Sequence, residues 1–166
     1  MSAAMDVSHY NHSDSITIDC SPAEVYAIVS DVTRMGELSP VARAGTWDDP
    51  ANVAREGAWF TGANAIGEYT WETHCQVVVA KPGAEFTFVN HGPDGTAELV
   101  RWGYTFEPAG DGTRVTESWQ VLPAYPDFVR DGNPDVDVAA RIDGMAQMAR
   151  DGMRDTLANL KRVAEA

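Results

Sequence analysis

For about eighty residues up to Val121 the chain alternates apolar and polar positions with a period of two, and on either side the period lengthens to that of a helix. The clearest strand runs from Glu68 to Ala80. There Tyr69, Trp71, Thr73, Cys75, Val77 and Val79 share one face, while Glu68, Thr70, Glu72, His74 and Gln76 share the other. The next strand places Phe86, Phe88 and Asn90 together. The one after it separates Trp102, Tyr104 and Phe106 from Arg101 and Thr105, and the last sets Val115, Glu117, Trp119 and Val121 against Thr116, Ser118 and Gln120. Gly57, Gly62, Gly67, Pro82-Gly83, Gly92-Pro93-Asp94-Gly95 and Gly110-Asp111-Gly112 punctuate the stretch, which predicts six strands joined mainly by hairpins. One aromatic face and one polar face fit an antiparallel sheet with a wet side. A parallel sheet covered on both faces shows continuous apolar runs instead.

The cover for the aromatic face is a last helix, predicted over Asn133 to Ala166. Val138, Ile142, Met145, Ala149, Met153, Leu157, Leu160 and Ala164 recur at three- and four-residue steps, with Arg141, Asp151, Asp155, Lys161, Arg162 and Glu165 on the other side. Upstream, Ser15 to Asp19 alternates as a first strand. Ser21-Pro22-Ala23-Glu24 then starts a helix, with Ser21 as N-cap, Pro22 at the first helical position and Glu24 completing a capping box. That helix is expected to run to about Val32, burying Val25, Ile28, Val29 and Val32, and Met35 to Leu38 forms a short second helix before Pro40. Residues 1–13 are polar and aperiodic and read as a flexible lead-in, in which His9 and His12 have no further ligand to support a metal. Residues 14–166 read as one domain. Pro123 to Pro134 is expected as a loop, with Tyr125 and Phe128 as lid residues.

Composition narrows the function. With 166 residues, 44% of them hydrophobic, the chain is sized for a single sizeable core. A net charge of -13 with only twelve Lys and Arg argues against a nucleic-acid or anionic membrane surface. No apolar run approaches membrane-spanning length and the start lacks signal-peptide character, so the cytoplasm is the expected compartment. Cys20 and Cys75 are too few and too far apart for a disulfide framework and read as reduced thiols.

Alternation puts Glu117 on the aromatic face between Val115 and Trp119. A carboxylate there loses hydration, which raises its pKa toward the range of a general acid or base. Tyr69, Trp71, Phe86, Phe88, Trp102, Tyr104 and Trp119 on the same face, interleaved with Thr73, Cys75 and Asn90, read as the wall of a small-molecule pocket. Met145 and Met148 face them from the helix, where flexible thioethers adapt to a ligand. Gly144 and Gly152 weaken that helix and mark a bend or a close approach to the sheet. His74 falls on the solvent side and His91 at a strand end, both as surface histidines. No phosphate-binding loop, nucleophile elbow or metal-ligand spacing occurs, and no cofactor is expected.

The order of strand, capped helix, short helix, six-stranded meander and long C-terminal helix resembles the helix-grip fold. In particular the chain resembles the polyketide cyclase/dehydrase branch of the START-related superfamily. The residues that carry the likeness are Ser21-Pro22-Ala23-Glu24-Val25-Tyr26 with Asp31, Trp71, Val79-Ala80-Lys81-Pro82-Gly83 with Phe86, and Trp102-Gly103-Tyr104. Gly112-Thr113-Arg114-Val115-Thr116-Glu117-Ser118 and Met153-Arg154-Asp155-Thr156-Leu157-Ala158-Asn159-Leu160-Lys161 complete it. The resemblance implies an α+β fold in which a curved seven-stranded antiparallel sheet wraps the last helix around a cavity for a hydrophobic or aromatic, lipid- or polyketide-like molecule. It carries no single catalytic motif, so it implies a cavity rather than a mechanism. The alternatives are a metal-free cyclase or dehydratase with Glu117 as acid or base, and a filled-core interaction domain, such as a homodimer, whose aromatics only pack.

Overall fold

The structure is a computed structural model that describes residues 5–166; the first four residues of the expected lead-in lie outside the described residues. Seven strands form one antiparallel sheet: β1 (Asn11–Ile18), β2 (Ala42–Trp47), β3 (Trp59–Ile66), β4 (Tyr69–Lys81), β5 (Glu85–His91), β6 (Glu98–Ala109) and β7 (Gly112–Val121). Their spatial order is β1-β7-β6-β5-β4-β3-β2, a meander closed at one edge by the first strand. Between β1 and β2 lie α1 (Pro22–Val29), a 3₁₀ turn (Val32–Arg34) and α2 (Met35–Leu38), and after β7 come α3 (Tyr125–Gly132) and α4 (Val138–Ala164). This is the helix-grip architecture, with α4 lying across the concave face of the curved sheet.

Local chemistry explains most boundaries. The Ser21 hydroxyl accepts from the Glu24 N–H and the Glu24 carboxylate accepts from the Ser21 N–H, so the capping box forms as expected. α1 stops at Val29, short of Val32, because the Asp31 carboxylate accepts from the Thr33 N–H and opens the 3₁₀ turn instead. α4 starts at Val138 rather than Asn133, where the Asp137 carboxylate caps the Ala140 N–H. β1 starts at Asn11, four residues before the expected Ser15, since it pairs with β7 from Asn11↔Gln120 to Ile18↔Thr113. The expected end of the lead-in at Ser13 therefore falls inside a strand, and Val7 and Tyr10 ahead of it are already buried. Residues expected as a loop form α3, with Pro126 in its first turn and Tyr125 buried.

Two positions inside the sheet differ from the sequence expectation. Gly62, expected at a turn, sits in the middle of β3 opposite Thr73. A bulge between Val77 and Val79 pairs Val79 with Thr87 and brings Ala80 opposite Phe86, so Val79 leaves the aromatic face. The core is filled at one end by Ile18, Val25, Phe86, Val115, Leu157 and Leu160, each no more than 2% exposed. Burial of such side chains contributes about 1.5–3 kcal/mol apiece. Toward the other end, Met145, Ala149 and Met153 of α4 face a gap instead.

Candidate functional site

That gap is a cavity of about 230 Å³ between α4 and the sheet. Pro40 and Met148, both exposed, stand where it meets solvent. Drug-sized ligands occupy pockets of about 300–1,000 Å³, so this cavity suits a compact molecule. Of the residues expected on its wall, Trp71, Thr73, Cys75, Phe88, Asn90, Trp102, Tyr104, Glu117, Trp119, Met145 and Met148 all line it. Tyr69 does not: it is 67% exposed and lies over Trp71 at 5.3 Å, beyond the covered part of β4 next to the hairpin turn. Phe86 does not either. It is fully buried in the filled end, edge-on to Tyr26, so its alternation reports core rather than cavity.

Other lining residues escaped the sequence reading. Phe60, Gly62 and Asn64 come from β3 at the same period-two spacing that marked the later strands, so their signal was present. Met35, Leu38, Pro40 and Val41 come from the segment around α2, whose approach to the cavity depends on tertiary packing alone. Gly152 also lines the cavity, with its nearest neighbour across the gap the Pro40 ring.

Glu117 dominates the electrostatics. It is 2% exposed, and its Oε2 accepts a hydrogen bond from the Tyr104 hydroxyl at 2.7 Å. Cross-strand pairing of Tyr104 with Glu117 sets that contact. Its Oε1 is buried and has no partner among the described residues. Burial pushes the carboxyl up to about 8, with Asp14 on the neighbouring strand adding to the rise and the Tyr104 hydrogen bond opposing it. Burial and the adjacent Glu117 hold the Tyr104 hydroxyl well above its usual value, so it remains a donor. At neutral pH Glu117 is therefore the protonated acid. With Oε2 engaged by Tyr104, the proton belongs on Oε1, which is buried beside the cavity that Glu117 lines.

At the other end of the cavity, Cys75 donates to Asn90 Oδ1 at 2.9 Å. Burial pushes that thiol up to about 12, which keeps it a weak donor and not a nucleophile. The histidines lie elsewhere. His74 is half-buried on the outer face with its Nε2 2.9 Å from Asp48 Oδ2. His91, expected at the surface, is buried against Trp59, its Nδ1 donating to the Val89 carbonyl. His12 stacks on the far side of Trp119 at 5.5 Å. Tyr125 and Phe128, expected as lid residues, do not line the cavity: Tyr125 is buried under α3, and Phe128 lies over Gly92 and Ala97 in a separate surface groove. Among the described residues no cluster of three or more His, Cys, Asp or Glu side chains is arranged to hold a metal ion.

The sequence profile described as polyketide cyclase / dehydrase and lipid transport matches residues 11–165, nearly the whole chain. The chain belongs to that family. Within the polyketide cyclase / dehydrase and lipid transport family, sequence likeness extends to a polyketide-cyclase-like protein of Corynebacterium glutamicum solved by NMR. It is 37% identical, with 97% of this chain and 94% of that one covered at a TM-score of 0.69. A di-domain ARO/CYC from the steffimycin biosynthetic pathway shares the fold at 12% identity and a TM-score of 0.69; the match spans 94% of this chain and half of that one. A protein from Mycobacterium smegmatis shares it at 14% identity, with 96% of each chain covered and a TM-score of 0.63. Among the curated proteins nothing matches. No helix among the described residues is long and apolar enough to cross a membrane.

Proposed function

We propose that the chain binds a neutral, compact apolar or aromatic molecule, lipid- or polyketide-like, in the cavity between the sheet and α4, with a ligand oxygen set against Glu117. The observation that carries this reading is the unpartnered Oε1 of a buried carboxyl on a largely aromatic wall. A buried polar atom without a partner costs about 1–3 kcal/mol, and a carbonyl or hydroxyl oxygen in the cavity removes that cost. Trp71, Phe88, Trp102 and Trp119 supply the apolar surface, and Met145 and Met153 the adaptable side opposite. The test is titration with N-phenylnaphthylamine, whose fluorescence rises in apolar surroundings. Micromolar binding is expected, weakened at least tenfold in Met145→Trp, where a bulky ring enters the cavity; equal binding in both proteins contradicts the reading.

A second reading is favoured by the same carboxyl. A group poised near pH 8 with one oxygen left without a protein partner beside the cavity meets the requirement of a general acid or base. The family and the ARO/CYC neighbour supply a reaction class for it, cyclisation or dehydration of a polyketide-like chain without a metal. In that case Glu117→Gln removes turnover while leaving ligand binding and folding in place. Turnover that survives the substitution removes Glu117 from the chemistry.

A further inference from the structure

We infer that Asn90, with Thr73 beside it, forms a second hydrogen-bonding subsite at the end of the cavity remote from Glu117, so that the preferred compact ligands carry an oxygen at each end. The inference rests on the reading of the cavity as a ligand site. Asn90 lines the cavity with only one side of its amide engaged: Oδ1 accepts from Cys75, and Nδ2 makes no hydrogen bond among the described residues. Thr73 Oγ1 takes part in a long 3.4 Å contact from the Asn64 amide and lines the same end of the cavity, beside Cys75. Gly62 keeps this end open, since a side chain there would begin 2.6 Å from Thr73 Oγ1.

The sheet register separates the two polar ends. Glu117 lies opposite Tyr104, and Tyr104 opposite Phe86, while Asn90 stands four residues beyond Phe86 on β5. Four residues along the strands and two strand spacings across them put the two backbones roughly 16 Å apart. Between them Phe88, Trp102 and Trp119 form an uninterrupted aromatic wall. Both ends present donors, the Oε1 proton and the amide N–H, so both call for acceptor oxygens. A ligand with a single oxygen satisfies one end and leaves the other without a ligand partner, an arrangement that discriminates between ligands.

The test is calorimetric titration with biphenyl, para-hydroxybiphenyl and para,para′-dihydroxybiphenyl, on wild type, Asn90→Leu and Thr73→Val. In the wild type the dihydroxy compound is expected to bind about tenfold more tightly than the monohydroxy one. That ratio is expected to fall toward one in Asn90→Leu, and to be reduced in Thr73→Val, which keeps the reading available if the first variant misfolds. A ratio of one in the wild type, or a ratio untouched by both substitutions, overturns the second subsite while leaving the cavity as a binding site. Absence of binding by all three compounds removes the ligand reading itself, and the subsite with it.

Discussion

Glu117 enters the folded protein at a cost that depends on pH. Its carboxyl titrates near 8 when folded against 4.5 ordinarily, so between those values the folded state keeps a proton that the unfolded chain has released. Stability therefore falls as pH rises from about 4.5 to 8 and levels off above, by up to about 5 kcal/mol. In Glu117→Gln that slope is expected to disappear, so thermal melts of the two proteins diverge with rising pH and the variant is the more stable at pH 8. Parallel melting curves across the range would show that Glu117 does not titrate there. Alternation alone placed this residue among aromatics. Its partner was not legible, because the Tyr104 contact depends on how β6 and β7 are paired, and a one-residue slip would have removed it.

The helices and central strands were legible because each has one buried face and one wet one. Where that contrast fails, the reading failed. Asn11, His12 and Ser13 open β1 at a sheet edge with polar side chains on both faces, so they show no alternation. Val77-Val78-Val79-Ala80 is apolar throughout, so nothing in it marks the bulge. Around α3 the prolines at 123, 126 and 134 and the run of Asp and Gly hide a single buried turn, Tyr125-Pro126. Helical periodicity does not distinguish the two glycines of α4. In the structure a Cβ at Gly144 meets open space, while one at Gly152 makes an ordinary 3.7 Å contact with Pro40 at the cavity mouth. Replacing either by Ala is expected to stabilise the protein by about 1 kcal/mol in denaturant titrations. Only Gly152→Ala narrows the entrance, so it alone should slow association of N-phenylnaphthylamine in stopped-flow fluorescence. Equal rates in the two variants would place the entrance elsewhere.

Across the whole molecule, charge and cavity point to the same kind of ligand. A chain carrying -13 with a neutral acid inside it repels anions from its surface and has no cation among the cavity's lining residues to hold one, so the proposed occupant is not an anion. The tryptophans report directly on whether it is there. Trp71, Trp102 and Trp119 line the cavity, whereas Trp59 lies on the outer face between His74 and His91. The decisive measurement is a proton–nitrogen correlation spectrum of the five indole N–H groups during titration with N-phenylnaphthylamine. Occupation of the cavity shifts the signals of Trp71, Trp102 and Trp119 along one saturable curve and leaves Trp59 in place. Signals that stay fixed for those three, or a shift confined to Trp59, would contradict the assignment of this cavity as the binding site.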